Sequence, residues 1–269
     1  MTRPPSTAPV PLRLIVTRPR GQALPWVQAL RAAGIDAQAL PLIDIAPPVD
    51  AASVRAAWAG LEGAAFAMFV SANAVQHFFA LRPSGARWPA ALPAGCTGPG
   101  TARVLRAALA QAGAPAAAVV EPGPGQPQES ESLWAALQAQ PWHGRRVLVV
   151  RGEQGRDWLS AQWQAAGACV DFVAAYRRLA PLPDVAGRGL LQAAQAAPHA
   201  CVWHFSSSEA IGHLVALAPG ADWSAATALV THPRIAEAAA RAGFVRVRPV
   251  GPGPEAAAQE MARLQSGPL

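Results

Sequence analysis

A chain of 269 residues, 52% of them hydrophobic, is long enough to bury one large core or two smaller ones. No apolar run approaches the roughly 20 residues that cross a bilayer, and the opening MTRPPSTAPVPLR is proline-rich rather than charged and then apolar, so a short disordered lead on a cytoplasmic protein without a membrane partner is expected. The 22 basic residues behind the net charge of +6 are all arginine, which excludes a Schiff-base lysine and a Walker-type phosphate loop; the charge favours an anionic partner, yet its scatter lacks the basic stripe of a nucleic-acid binder.

In chain order, short apolar runs alternate with alanine- and leucine-rich helical stretches. LRLIVT leads into a predicted helix over 22–33, AAFAMFV into one over 74–81, and GCTG into one over 101–112. RVLVVRG precedes a helix over 157–166, ACVWHFS one over 209–217, and TALVT one over 235–242. Gly34, Gly113, Gly167 and Gly243 follow helices where a left-handed cap is expected, and strands are predicted at IDAQALPLI, AAAVVEP, ACVDFVAAY and FVRVRPV. Strand followed by helix, six times over, means an α/β fold with a largely parallel sheet. Cys96, Cys169 and Cys201 have no CxxC or His/Cys ligand spacing, so buried reduced thiols are expected and no metal site.

The first and fourth of these units are copies, with Arg18 matching Arg151 and Gly34 matching Gly167, both 133 residues apart. The second and fifth are copies too: Phe69, Ser71, Ala74 and Val75 match Phe205, Ser207, Ala210 and Ile211 at a constant separation of 136. GPGTA overlays HPRIA more loosely in the third and sixth. A duplicated half predicts two similar lobes. The repeat is compatible with tandem halves dividing near EPGPGQPQES. It is equally compatible with a chain that crosses between lobes at PLIDIAPPVD and YRRLAPLPD, which leaves one lobe discontinuous and two connecting strands side by side.

In open parallel sheets, ligands bind beyond the carboxyl ends of the strands, where helix N-termini offer unpaired N–H groups. Here those turns are TRPRGQ, VSANA, TGPGTA, VRGEQG, FSSSEA and THPRIA, all rich in small or polar residues, and a cleft lined with them would hold a polyanion. Ser71 or Asn73, and Ser207 or Ser208, are read first as helix N-caps and second as ligand contacts. Arg18, Arg151 and Arg234 stand at helix entrances, where a positive charge opposes the helix dipole, which points them toward a ligand. Tyr176, the only tyrosine, ends a strand beside Arg177 and Arg178; its phenol can donate a hydrogen bond or act as a weak acid, the plainer alternative being a packed ring with a wet hydroxyl. His204 lies within a strand and reads as a satisfied core or surface histidine, whereas His232 lies in a turn and could reach an anion. No Ser-His-Asp, Cys-His or paired-carboxylate set is discernible, and GPGTA lacks the downstream acid of a dinucleotide site.

Taken in order, TRPRGQ, PLIDIAP, SANAV, GPGTA, VRGEQGR, YRR, SSSEA and THPRIAEAA make the chain, from about Leu12 to the end, resemble the uroporphyrinogen-III synthase family. The resemblance implies two flavodoxin-like, doubly wound lobes joined by a two-stranded β connector. Residues 1–46 with 181–269 would form one lobe and 47–180 the other, with crossings near 41–48 and 176–183. It also implies a cofactor-free reaction, closure of the linear tetrapyrrole hydroxymethylbilane to uroporphyrinogen III with inversion of the last ring and loss of water; separately, a monomer is expected. The family's tyrosine matches Tyr176, and the threonine of its glycine-proline turn matches Thr101. The second-lobe turn reads THPRI, moving any role there to Thr231 or Arg234. Binding in the family leans on backbone amides, which adds Ala72, Asn73, Gly100 and Gly152 to the expected substrate-binding set, beside His232 with its reach toward an anion. That set already contains Arg18, Arg151, Ser71, Ser207 and Ser208. A non-catalytic receptor for an anionic metabolite and a nucleotide-dependent transferase are the alternatives from other classes.

Overall fold

A computed structural model describes residues 11–266 except 124, 128 and 156; the first ten residues of the expected lead lie outside the described residues. In chain order the elements are β1 (Arg13–Val16), α1 (Arg20–Ala32), β2 (Ala37–Ala39), β3 (Asp44–Ala46), α2 (Ala51–Ala59), β4 (Phe66–Phe69) and α3 (Ala72–Ala80). There follow β5 (Ala94–Gly95), α4 (Pro99–Gln111), β6 (Val119–Val120), α5 (Ser130–Leu137), β7 (Arg146–Gly152), α6 (Trp158–Ala165) and β8 (Cys169–Leu179). The chain closes with α7 (Val185–Ala196), β9 (Cys201–Phe205), α8 (Ser208–Leu217), β10 (Thr227–Val230), α9 (Pro233–Arg241), β11 (Arg246–Pro249) and α10 (Pro254–Ser266).

Two compact units result: unit 1 is Met1–Asp44 with Leu179–Leu269, and unit 2 is Ile45–Arg178. The two places where the chain changes unit fall within β3 and β8, which are neighbours in one sheet. Unit 1 has a sheet of order β2-β1-β9-β10-β11, parallel throughout, the flavodoxin-like order 2-1-3-4-5. Unit 2 has the order β3-β8-β7-β4-β5-β6. Taking β7 as its first strand, β8-β7-β4-β5-β6 is the same 2-1-3-4-5 arrangement begun at a different point in the chain.

The duplication extends to strand register. Val16 opposes His204 across β1 and β9, and Val149 opposes Met68 across β7 and β4. Those residues are separated by the same 133 and 136 positions that relate the sequence copies. Next along each sheet, Leu229 opposes His204 and Gly95 opposes Met68.

Each parallel sheet must be covered on both faces, which is why its strands are apolar runs rather than alternating ones. In unit 2 Ala67 and Phe69 face one core with Trp58, Phe78 and Leu105, while Phe66 and Met68 face the other with Leu133, Val149 and Trp163. In unit 1 Leu14, Val16 and Val202 pack on Val27, Leu30, Ala257 and Met261 of α1 and α10. All four helix-closing glycines adopt positive φ, +79° at Gly34, +83° at Gly113, +81° at Gly167 and +95° at Gly243, the conformation that lets each chain leave its helix sharply.

Four helices fall on segments where the sequence pattern predicts none, α2, α5, α7 and α10. Two are begun by aspartates just after the crossings: Asp50 accepts from Ala52 N at 2.8 Å and Asp184 from Gly187 N at 2.8 Å. One thiol departs from expectation as well. Cys96 and Cys201 are buried, but Cys169 is exposed, because it opens β8 before that strand enters the core. Burial pushes the Cys96 thiol up to about 11 and raises that of Cys201, so both stay protonated at neutral pH.

Candidate active site

The carboxyl ends of β4, β5, β7 and β8 in unit 2 open onto a pocket of about 520 Å³. Met68, Val149, Leu159 and Trp163 form its apolar floor, and Thr97, Arg151, Tyr176 and Arg178 supply polar groups. Tyr176 reaches this position through an irregularity in strand pairing. Arg151 opposes Ala174, but the next residue, Gly152, opposes Tyr176, so the register skips Ala175. A side chain on residue 152 would crowd the ring: a Cβ there would stand 3.1 Å from Tyr176 Cζ and 3.4 Å from its hydroxyl oxygen. Glycine makes the seat on which the phenol lies.

Tyr176 is 1% exposed, and its hydroxyl is tied from two sides. Ser71 Oγ is 3.2 Å from the phenolic oxygen, and Arg178 Nη2 donates to the same oxygen over 3.5 Å. Ser71 is also the N-cap of α3, its Oγ accepting from Ala74 N at 3.2 Å. Its two expected roles therefore meet in one oxygen. Ala72 and Asn73 are half-buried in the first turn beyond it. Arg151 is held by Asp157, donates to Gly155 O at 3.2 Å, and places its guanidinium carbon 5.2 Å from the centre of the Phe172 ring.

Other expected residues stand elsewhere. Gly100 and Thr101 lie in the first turn of α4, outside this pocket; Thr97, just before that helix, lines both the pocket and a neighbouring hollow of about 410 Å³ beside Glu121. Arg18, Ser207, Ser208, Thr231, His232 and Arg234 belong to unit 1. There Ser207 Oγ caps α8 by accepting from Glu209 N at 3.2 Å, and Ser208 Oγ donates to Arg234 O at 3.3 Å. His232 caps α9: its Nδ1 accepts from Arg234 N at 3.1 Å.

His204 is neither satisfied nor at the surface. It is fully buried, and both ring nitrogens are without a hydrogen-bond partner among the described residues. Burial and the nearby Arg18 charge push its pKa down to about 4. Arg18 Nη2 donates to Gln22 Oε1 at 2.9 Å, its guanidinium carbon sits 4.8 Å from the Trp26 ring centre, and burial lowers its pKa.

Two further residues of the unit 2 site were missed. The indole N–H of Trp163 is buried in the pocket wall without a partner among the described residues. His77 of α3 lies with its ring centre 6.0 Å from that of Tyr176, and burial lowers its pKa. A signal for it existed. His77 and His213 are 136 apart, the offset of the SANAV and SSSEA copies, and His213 Nδ1 lies 2.6 Å from Leu42 O just before the first crossing.

Two flavodoxin-like sheets, and in unit 2 a pocket at the carboxyl ends of the strands with arginines beside a constrained phenol, define a two-unit α/β protein with a polar candidate active site. A family model described as uroporphyrinogen-III synthase HemD matches residues 25–259. A uroporphyrinogen-III synthase of Synechococcus elongatus is 32% identical over 222 residues, covering 79% of this chain and 78% of that one. The chain belongs to the uroporphyrinogen-III synthase family. In fold it is similar to a crystal structure of a mutant uroporphyrinogen III synthase of Thermus thermophilus, with TM-score 0.58, 18% identity, and coverage of 95% of this chain and 99% of that one. It is also similar to the uroporphyrinogen-III synthetase of Helicobacter pylori, with TM-score 0.56, 16% identity, and coverage of 94% and 99%. The protein is thus an enzyme of tetrapyrrole biosynthesis that closes hydroxymethylbilane into a ring, and the reading of a non-catalytic receptor is set aside. Among the described residues no helix is long and apolar enough to cross a membrane.

Proposed function

We propose that Tyr176, seated on Gly152 and tied to Ser71, assists departure of the hydroxyl group when hydroxymethylbilane closes to uroporphyrinogen III. The observation that carries this reading is the 3.2 Å contact between Ser71 Oγ and the Tyr176 hydroxyl at the wall of an open pocket. An electron-rich pyrrole expels hydroxide readily, leaving an azafulvene cation. The protein has to protonate the leaving oxygen and fold the chain so that the substituted carbon of the last ring attacks. A phenol can donate that proton, and the Arg178 guanidinium beside its oxygen favours the negative charge left behind. The proton released as the ring closes balances the one given to the departing water. The apolar floor suits a pyrrole face, and Arg151 with Arg178 suits its carboxylate arms.

The same reading takes the protein as a cytoplasmic monomer that needs no cofactor. Its two lobes are residues 1–46 with 181–269 and residues 47–180. The backbone amides at Ala72, Asn73, Gly100 and Gly152, with Thr101, Ser207, Ser208, Thr231, His232, Arg18 and Arg234, complete its substrate-binding set. Single-turnover assay of Tyr176→Phe with hydroxymethylbilane tests the role of the phenol. Formation of the type III isomer should fall about 100-fold while the type I isomer from unassisted closure accumulates. An unchanged rate in a correctly folded variant removes Tyr176 from the chemistry.

A further inference from the structure

We propose that unit 1 holds a latent carboxylate-binding pocket, walled by Arg18 and His204 and covered by Trp26, the counterpart of the open pocket in unit 2. This goes beyond the reading of Tyr176 and stands independently of it. The duplication supplies the equivalence residue by residue. Arg18 corresponds to Arg151 and Trp26 to Leu159 at 133 positions, and His204 corresponds to Met68 at 136. The registers agree, since Val16 opposes His204 as Val149 opposes Met68. In unit 2, Arg151, Leu159 and Met68 line open space.

In unit 1 the larger indole occupies that place. The Trp26 ring centre is 4.6 Å from that of His204 and 4.8 Å from the Arg18 guanidinium carbon. The two side chains against the indole carry Arg18 Nε and both ring nitrogens of His204, three buried polar atoms without hydrogen-bond partners among the described residues. Native interiors seldom leave such atoms unpaired, so a cluster of three marks a place where a polar ligand belongs. The chemistry selects the ligand. Guanidinium is donor only, and a neutral imidazole adds a second N–H, so a carboxylate can accept from both. The aliphatic stem of a short carboxylic acid would replace the indole against the apolar wall. Trp26 is half-buried and packs from α1 against the unit 1 core, so movement of its indole would uncover the site.

The test is a titration of the full-length protein carrying ring-labelled histidine, with the His204 resonances assigned by comparison with His204→Gln. Sodium propionate should shift the His204 signals saturably in the native chain and in Trp26→Leu, which installs the residue found at the equivalent place in unit 2. Binding should be at least about tenfold tighter in the variant, because a cover open for about a tenth of the time weakens apparent affinity about tenfold. Propionamide should leave the signals in place, and Arg18→Gln should abolish the propionate shift. Absence of a shift in the native chain overturns the proposal, as does an equal response to propionamide. Equal affinity with and without the indole removes Trp26 as the cover. Trp26→Phe replaces the leucine variant should that fail to fold. None of these outcomes bears on Tyr176, whose test measures turnover.

Discussion

His204 shows how one buried side chain sets a pH dependence. Its folded pKa of about 4 lies below the ordinary 6.5, so the unfolded chain binds the proton more readily than the folded one. Stability therefore rises with pH in this window: the contribution of a neutral His204 is fully present above about pH 6.5 and is lost as pH falls toward 4. The shift corresponds to something on the order of 3 kcal/mol, driven first by burial and second by the Arg18 charge. His204→Met, which carries over the residue at the equivalent place in unit 2, removes both the titration and two unpaired nitrogens. Urea unfolding should show the variant at least as stable as the native protein at pH 7 and nearly insensitive to acidification between pH 6.5 and 4.5. A native-like slope in the variant would assign the acid sensitivity to other groups.

The strand-to-helix turn is the element the duplication preserved, and its two serines separate structure from chemistry. Ser71 and Ser207 both cap a helix, so alanine at either position should lower stability by about 1 kcal/mol in urea unfolding. Ser71 Oγ also meets the Tyr176 hydroxyl, so Ser71→Ala should slow single-turnover type III isomer formation at saturating substrate by about tenfold, whereas Ser207→Ala, in the proposed substrate-binding set, should act through KM. Comparable slowing by Ser207→Ala at saturating substrate would contradict that division of labour. These turns were legible because strand, small polar residues and helical spacing sit together in sequence, and the four positive-φ glycines were legible because only glycine closes a helix that way without strain. Helices α2, α5, α7 and α10 were not. Helix α2, for instance, buries only Val54 and Trp58 and is otherwise mostly alanine, so it lacks a stripe that sequence periodicity can detect. The site was legible to the extent that it depends on local pattern. Tyr176, Arg151 and Ser71 come together, but the skipped register that puts Tyr176 on Gly152 is a property of paired strands. Thr97 and Trp163 enter the pocket through packing that no single segment encodes.

Chain continuity divides the molecule unequally. Unit 2 runs unbroken from Ile45 to Arg178, its strands pair within that span, and cores lie on both faces of its sheet. Unit 1 is closed from distant parts: β1 lies between β2 and β9, and Thr17 Oγ1 donates to His204 O across 187 residues of sequence. Loop-closure entropy grows only slowly with length, so a folded unit 2 spanning that interval does not prevent closure, but unit 1 cannot complete its sheet without both ends of the chain. Residues 45–178 expressed alone should therefore unfold cooperatively in urea, with a stability of about 5–10 kcal/mol, in the range of a small domain. Residues 179–269 expressed alone should be unfolded or aggregated. Without β1, the buried run Val202 to Phe205 in β9 becomes an unpaired apolar edge. Circular dichroism and urea titration of the two fragments decide the matter. A disordered 45–178 fragment alongside a folded full-length chain would mean that the contiguous unit depends on the discontinuous one.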